Sequence, residues 1–304
     1  GISNELKAAA SGELDNGYTW NYHIDIDPGA AGAMVQDDAA LTLNMNNLGT
    51  IGFFDGEGSM DSNLKWGVGA LGTGSDYAGT MTINYGYDID SNPNIQYHTP
   101  DDILPLGIKA KFGHAPSLED AAGGNDYKSS AGVSTATPLV GDQLTQYYVE
   151  MSPIDGLSIH ADYADTNNGT ATAQSGESGG YAAKYAIGNF KVGYGKEYYA
   201  IPITAKNGSV TKYETDSYGI EMAVNDQISI SYTQEKSDQF TDVTIVAAKT
   251  SGTKTVIEAD VTTIQAAYVV GGATLGVAIA ESDNADYVVG KKEKVTVFSL
   301  AMAF

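Results

Sequence analysis

Apolar and polar side chains alternate with a period of two over most of this chain. Between residues 3 and 14, Leu6, Ala8, Ala10 and Leu14 share one face, and Glu5, Lys7, Ser11 and Glu13 share the other. Between 18 and 27, Tyr18, Trp20, Tyr22, Ile24 and Ile26 oppose Thr19, Asn21, His23, Asp25 and Asp27. Such spacing predicts β-strands with one apolar and one polar side. The alternation returns at 41–45, 94–98, 108–112, 146–151, 157–163, 181–187, 192–198, 218–224, 228–232, 264–270, 275–279 and 298–304. It predicts roughly fifteen strands and no helix-period segment.

The connections also alternate. Short ones fall at 15–17, 46–49, 99–106, 154–156, 188–189, 225–226 and 271–272, most of them carrying Gly, Asn or Asp. These residues reach the positive φ that tight hairpin turns need. Long polar segments rich in Gly, Ser, Thr and Asp are expected as loops at 28–38, 55–93, 115–142, 165–179, 200–215, 236–257 and 281–293. Short turns at one end and long loops at the other describe a transmembrane antiparallel β-barrel, here a single domain over 1–304. A soluble β-sandwich would also alternate. It would, however, have to bury Glu5, Lys7, Asp25, Lys109, Lys111, Asp162 and Glu221 in its core without evident partners. The aromatic residues Tyr18, Tyr163, Tyr181, Tyr198 and Phe304 sit on apolar faces at strand ends, which suits interfacial girdles.

Composition sharpens this picture. The chain has 304 residues, no cysteine, 20 tyrosines and 36 glycines. Its net charge is -22, and all 16 cationic residues are lysine. That balance argues against a nucleic-acid partner, because phosphate binding needs clustered cations. The most apolar stretch, 266–280, is broken by Gly271, Gly272 and Gly276, well short of the 18 to 20 or so residues of a spanning helix. His23, His98, His114 and His160 show no spacing that suggests a metal site, and no nucleophile, base and orienting group stand out together. No cofactor is expected. The one cation candidate is Asp88-x-Asp90-x-Asn92, which begins like a calcium loop but lacks the glycine and the downstream glutamate.

Three segments carry a family likeness: SNELKAAASGELDNGYTWNYHIDID, DDAALTLNMNNLGTIGFFDG and the ending VTVFSLAMAF. With them the chain resembles the Gram-negative general porins, most closely those of alphaproteobacteria. The resemblance implies a homotrimer of 16-stranded barrels in outer-membrane lipid, passing small hydrophilic solutes. It implies that Phe304 is the terminal aromatic read by the barrel-assembly machinery. It also implies a long third loop, 55–93, folded into the lumen. The acids of that loop, Asp55, Glu57, Asp61, Asp76, Asp88 and Asp90, would face the wall lysines Lys7, Lys109 and Lys111. The family's basic wall is largely arginine, and this chain has none, which weakens the transverse field so implied.

Glu5, Glu13, Asp25 and Asp27 fall on the inward face, where carboxylates favour cations. The expectation is therefore a passive, non-enzymatic, cation-preferring channel. The alternatives are a substrate-specific channel, which needs an aromatic or basic track along the lumen, and an outer-membrane enzyme. Bacterial single-chain barrels have even strand numbers. The full protein is accordingly expected to have 16 strands, with the first strand and first external loop preceding Gly1.

Overall fold

The computed structural model describes residues 6–28, 34–71, 83–101, 103–117, 143–167, 174–202, 207–243 and 254–302. Fifteen strands form one sheet in strict chain order, every neighbour antiparallel. They are β1 (Leu6–Glu13), β2 (Thr19–Pro28), β3 (Met34–Asn44), β4 (Thr50–Asp55), β5 (Asn94–His98), β6 (Lys109–Ala115), β7 (Gln143–Met151) and β8 (Leu157–Asn167). They continue as β9 (Glu177–Ile187), β10 (Phe190–Ala200), β11 (Asn207–Ala223), β12 (Ile228–Val243), β13 (Lys254–Val270), β14 (Ala273–Asp283) and β15 (Lys292–Met302). Among the described residues β1 and β15 form no ladder with each other.

All seven expected short turns join strand pairs, and their chemistry is local. In the turn from β11 to β12, Asn225 Oδ1 accepts from the backbone N–H of Gln227 and of Ile228, both at 2.9 Å. In the turn from β3 to β4, Gly49 has φ +86 and lies against the His98 carbonyl oxygen, so a side chain there would be strained and obstructed.

The register carries the alternation across strands. The partner chain Val192–Ile220–Tyr232–Ile264–Ile279 runs across five strands on one face. That face is the outside: Leu6, Phe53, Phe112, Tyr147, Tyr163, Tyr181, Tyr218, Ile264, Phe298 and Leu300 are all exposed on it. Its aromatics meet across strands, with Tyr194 5.3 Å from Tyr218 and Phe112 5.4 Å from Tyr147 between ring centroids. A continuous exposed face of this composition suits hydrocarbon, not water.

Two expected loops, 200–215 and 236–257, are shorter than their polarity suggested. Residues 207–215, 236–243 and 254–257 are strand, so β11 and β13 reach 17 residues and β12 reaches 16. Beyond the apolar band the outward face turns charged, as in Lys196–Asp216 (3.0 Å) and Lys236–Asp260 (3.4 Å). The apolar/polar alternation fades there, while the inward face still packs, with Tyr213, Thr215 and Ser217 buried.

The core lies inside the sheet. Met60, Ile83, Tyr87 and Ile89 from the segment between β4 and β5 join inward residues Leu144, Tyr148, Tyr199, Tyr213 and Val261, and Tyr287 from beyond β14. Glu57, next to β4, contacts β2, and Asn84 meets Tyr287 past β14. One segment can reach both sides only if the sheet curves around it.

Candidate functional site

The described parts of the 55–93 segment form two limbs along the inner wall. The outgoing limb, 56–71, docks its backbone on wall side chains. Asp162 of β8 accepts from Ser62 N (2.9 Å) and Ser62 Oγ (2.6 Å). Ser231 Oγ of β12 accepts from Ala70 N, and Gln265 Oε1 of β13 accepts from Leu71 N, both at 2.8 Å. The returning limb, 83–93, does the same. Ser178 Oγ of β9 accepts from Tyr87 N at 2.9 Å, and Gln146 Oε1 of β7 accepts from Ile89 N at 2.8 Å. The amide nitrogen of Gln146 donates to Met60 O (3.2 Å) and Tyr87 O (3.3 Å), tying the two limbs together. Backbone that lacks a sheet partner inside a barrel must be satisfied by side chains, and Asp162, Ser231, Gln265, Ser178 and Gln146 of the wall supply them.

The acids of this segment fall into two groups. Near β2, His23 Nε2 is 2.7 Å from both carboxylate oxygens of Glu57. Asp25, Asp38 and Glu57 each place an oxygen within 4.8 Å of the others, and Lys7 Nζ binds Asp25 Oδ2 at 2.9 Å. Lys7 is thus paired across the wall with Asp25, with Glu57 and Asp38 close enough to add to its charge balance. Deeper in, Asp88 accepts from Met60 N (3.0 Å) and Ser59 Oγ (2.6 Å) and caps a short turn through the N–H of Asp90. Burial, then the Asp88 charge, pushes the Asp61 carboxyl up to about 8 and Asp90 to about 6. Asn92 is buried, and its carbonyl accepts from Asn94 Nδ2 at 2.8 Å. In the Asp88-x-Asp90-x-Asn92 run, Asp88 therefore uses its oxygens inside the loop.

The remaining candidates are scattered. Asp55 shares the outward parity of Phe53 and accepts from Gln36 Nε2 at 2.9 Å. Lys109 pairs with Asp101 at 3.0 Å beside the short β5–β6 turn, away from the inner segment. Lys111 lies inward, 5.0 Å above the Tyr148 ring, with Glu150, Lys65 and Asp88 as its charged surroundings. Glu5, Asp76 and Phe304 lie outside the described residues.

Sequence reasoning missed the apolar anchors. Met60, Trp66 and Ile89 are wholly buried, and Val68 nearly so. The signal was present in inward-facing glycines of the wall. A Cβ at Gly113 would come within 2.7 Å of Ile89 and 2.8 Å of Met60, and one at Gly276 within 2.7 Å of Leu71. Glycine inside a strand often marks close approach by another backbone.

No protein-family model matches the chain, and no curated protein does. Solved structures do. An anion-selective porin from Comamonas acidovorans has a TM-score of 0.61 at 15% identity, covering 98% of this chain and 90% of that one. OmpF of Salmonella typhi in complex with daunomycin has a TM-score of 0.60 at 11% identity, covering 98% and 89%. A loop-deletion mutant of OmpT, an outer membrane protein of Vibrio cholerae, has 0.57 at 14% identity, covering 92% and 84%. The fold of this chain is the β-barrel fold of the Gram-negative general porins.

Proposed function

We propose that this protein is an outer-membrane porin: a water-filled, non-enzymatic channel for passive diffusion of small hydrophilic solutes and ions. In this reading it resides in the bacterial outer membrane, assembles as a homotrimer and prefers cations. The observation that carries the reading is the two-sided wall, apolar and aromatic outside, polar and charged inside, with the described limbs 56–71 and 83–93 folded against its inner face. Outside, that wall suits hydrocarbon; inside, it suits water. Cation preference rests on charge. The carboxylates of Asp25, Asp38 and Glu57 gather beside Lys7, and the chain as a whole carries -22.

A substrate-specific track is less well supported. The inward tyrosines Tyr87, Tyr199, Tyr213 and Tyr287 are buried against one another, with ring centroids 5.1 to 5.8 Å apart. They form a packed cluster and not a row of exposed rings.

Liposome swelling tests the proposal. Vesicles holding the refolded protein should swell in monosaccharides, with rates that fall steadily through di- and trisaccharides. Folded protein that passes no sugar would defeat the reading, and uptake of a single sugar regardless of size would favour the substrate-specific alternative.

A further inference from the structure

Trp66 is wholly buried inside a barrel whose wall is otherwise largely polar on that side. The cavity that takes it is built from missing side chains. Gly193 and Gly195 on β10 and Gly219 on β11 all face inward, and Gly193 and Gly219 are direct cross-strand partners. A Cβ at Gly193 would run into the Trp66 carbonyl oxygen, and one at Gly195 would sit 2.6 Å from Cδ1 of its indole. At Gly219 a Cβ would lie 2.5 Å from Val68 Cγ2 and 3.2 Å from Trp66 Cζ3. Three glycines on two adjacent strands weaken the sheet locally, because glycine gives up backbone entropy and has nothing to pack. What they gain here is a notch that fits one indole and the backbone carrying it.

The notch lies midway along the outgoing limb. Ser62 is fixed to Asp162 before it, and Ala70 and Leu71 are fixed to Ser231 and Gln265 after it. Each of those hydrogen bonds replaces one to water, so its net hold on the limb is modest. The indole is the large apolar contact between them. Its Nε1–H meets no acceptor among the described residues, so shape and burial, not polarity, retain it.

Building on the channel reading, we infer that Trp66 seated in the Gly193–Gly195–Gly219 notch is the wedge that pins the inner loop to the wall and thereby sets the bore of the channel. Trp66 is a positioning residue and touches no permeating solute. Without it the limb leaves the wall and moves into the open part of the lumen.

Planar-bilayer recording and fluorescence together test this. Truncating a buried tryptophan to alanine should weaken the docking equilibrium of the limb by about a hundredfold or more. Trp66→Ala should therefore give frequent sub-conductance steps and short open dwells. The barrel itself should stay folded, as judged by heat-modifiable mobility in detergent gels. Trp66→Phe should restore steady openings, because the indole N–H is not used. Gly195→Val fills the notch and should reproduce the alanine behaviour with the tryptophan still present.

The chain has 2 tryptophans, so in a Trp20→Phe background the emission reports Trp66 alone. Iodide should fail to quench it in the parent and should quench it in Gly195→Val. That readout needs no conductance, so it still reports on the wedge if the parent forms no channel, an outcome that would overturn only the channel reading. Trp66→Ala with parental conductance and dwell times would overturn the inference. So would Trp66→Phe behaving like Trp66→Ala, or unchanged quenching in Gly195→Val.

Discussion

Replacing Val277 with arginine should destabilise the folded protein by about 2–4 kcal/mol, while the same change at Val289 should be close to neutral. Val277 stands in the outward apolar band of β14 between Leu275 and Ile279, facing Ala266 on β13 and Phe298 on β15. An arginine there must hold its charge in hydrocarbon or reach out of it. Val289 is 77% exposed in the connection beyond β14, where an arginine remains in water. In a soluble β-protein the half-exposed Val277 could swing an arginine head into water, and both changes would be small. Urea titration of protein refolded into lipid vesicles measures the difference. Equal, small effects at the two sites would remove the lipid-facing assignment of the outer surface.

A second large effect is expected from pH. The Asp61 carboxyl sits in the docked outgoing limb with Asp88 as its strongest charged neighbour, Lys65 opposing and Asp162 adding, and Glu197 also in range. Burial first and Asp88 second hold it near 8, against an ordinary 3.8 once the limb is free in water. The docked limb therefore binds a proton that the free limb releases. Docking is strongest below about pH 4 and weakens steadily as pH rises toward about 8, after which it levels off. Asp90, pushed to about 6 by burial and Asp88, adds in the same direction over the lower part of that range. Each unit of pKa difference is worth about tenfold in the docking constant. Backbone amides of 60–66 should then exchange at least about tenfold faster at pH 9 than at pH 5, after correction for intrinsic rates. Asp61→Asn should flatten most of that dependence. Protection that increases with pH would contradict the assignment of a protonated Asp61 in the docked limb.

Much of the barrel was legible in the sequence, for a definite reason. A wall between lipid and water imposes period two on every strand, and the pattern survives wherever both solvents are present. Tyr18 to Ile26 and Ile264 to Val270 are of that kind. The pattern failed where the outer solvent changes. Past Asp216 on β11 and Lys236 on β12 the outward face turns charged while Tyr213 packs inward, so the usual apolar/polar order is lost and the sequence reads as loop. Parity also explains Asp55, which was grouped with the loop acids but is the last residue of β4 and stays in step with Phe53.

The inner loop was far less legible. Its packing follows no period, because Met60, Trp66, Val68, Ile83 and Ile89 meet a curved wall at irregular intervals. Lys7, Lys109 and Lys111 share the inward face, and only height along the barrel separates them. Lys109 stands by the short β5–β6 turn with Asp101, whereas Lys7 is paired with Asp25 beside the Glu57 root of the loop. Alternation gives the face of a strand and carries no information about what crosses in front of it. The wall glycines were the available signal, three of them clustered on the inward face of β10 and β11.

Fold does not decide ion preference, since an anion-selective porin shares this architecture. The sign must come from the charges of this chain, 38 carboxylates against 16 lysines with Asp25, Asp38 and Glu57 gathered at the loop root. The most direct measurement is the zero-current potential of single channels in a potassium chloride gradient. At low salt it should have the sign of a cation-preferring pore, and it should shrink as salt rises and screening shortens the reach of those carboxylates. A potential of the opposite sign at low salt, or no conductance from protein shown to be folded in the bilayer, would contradict the account.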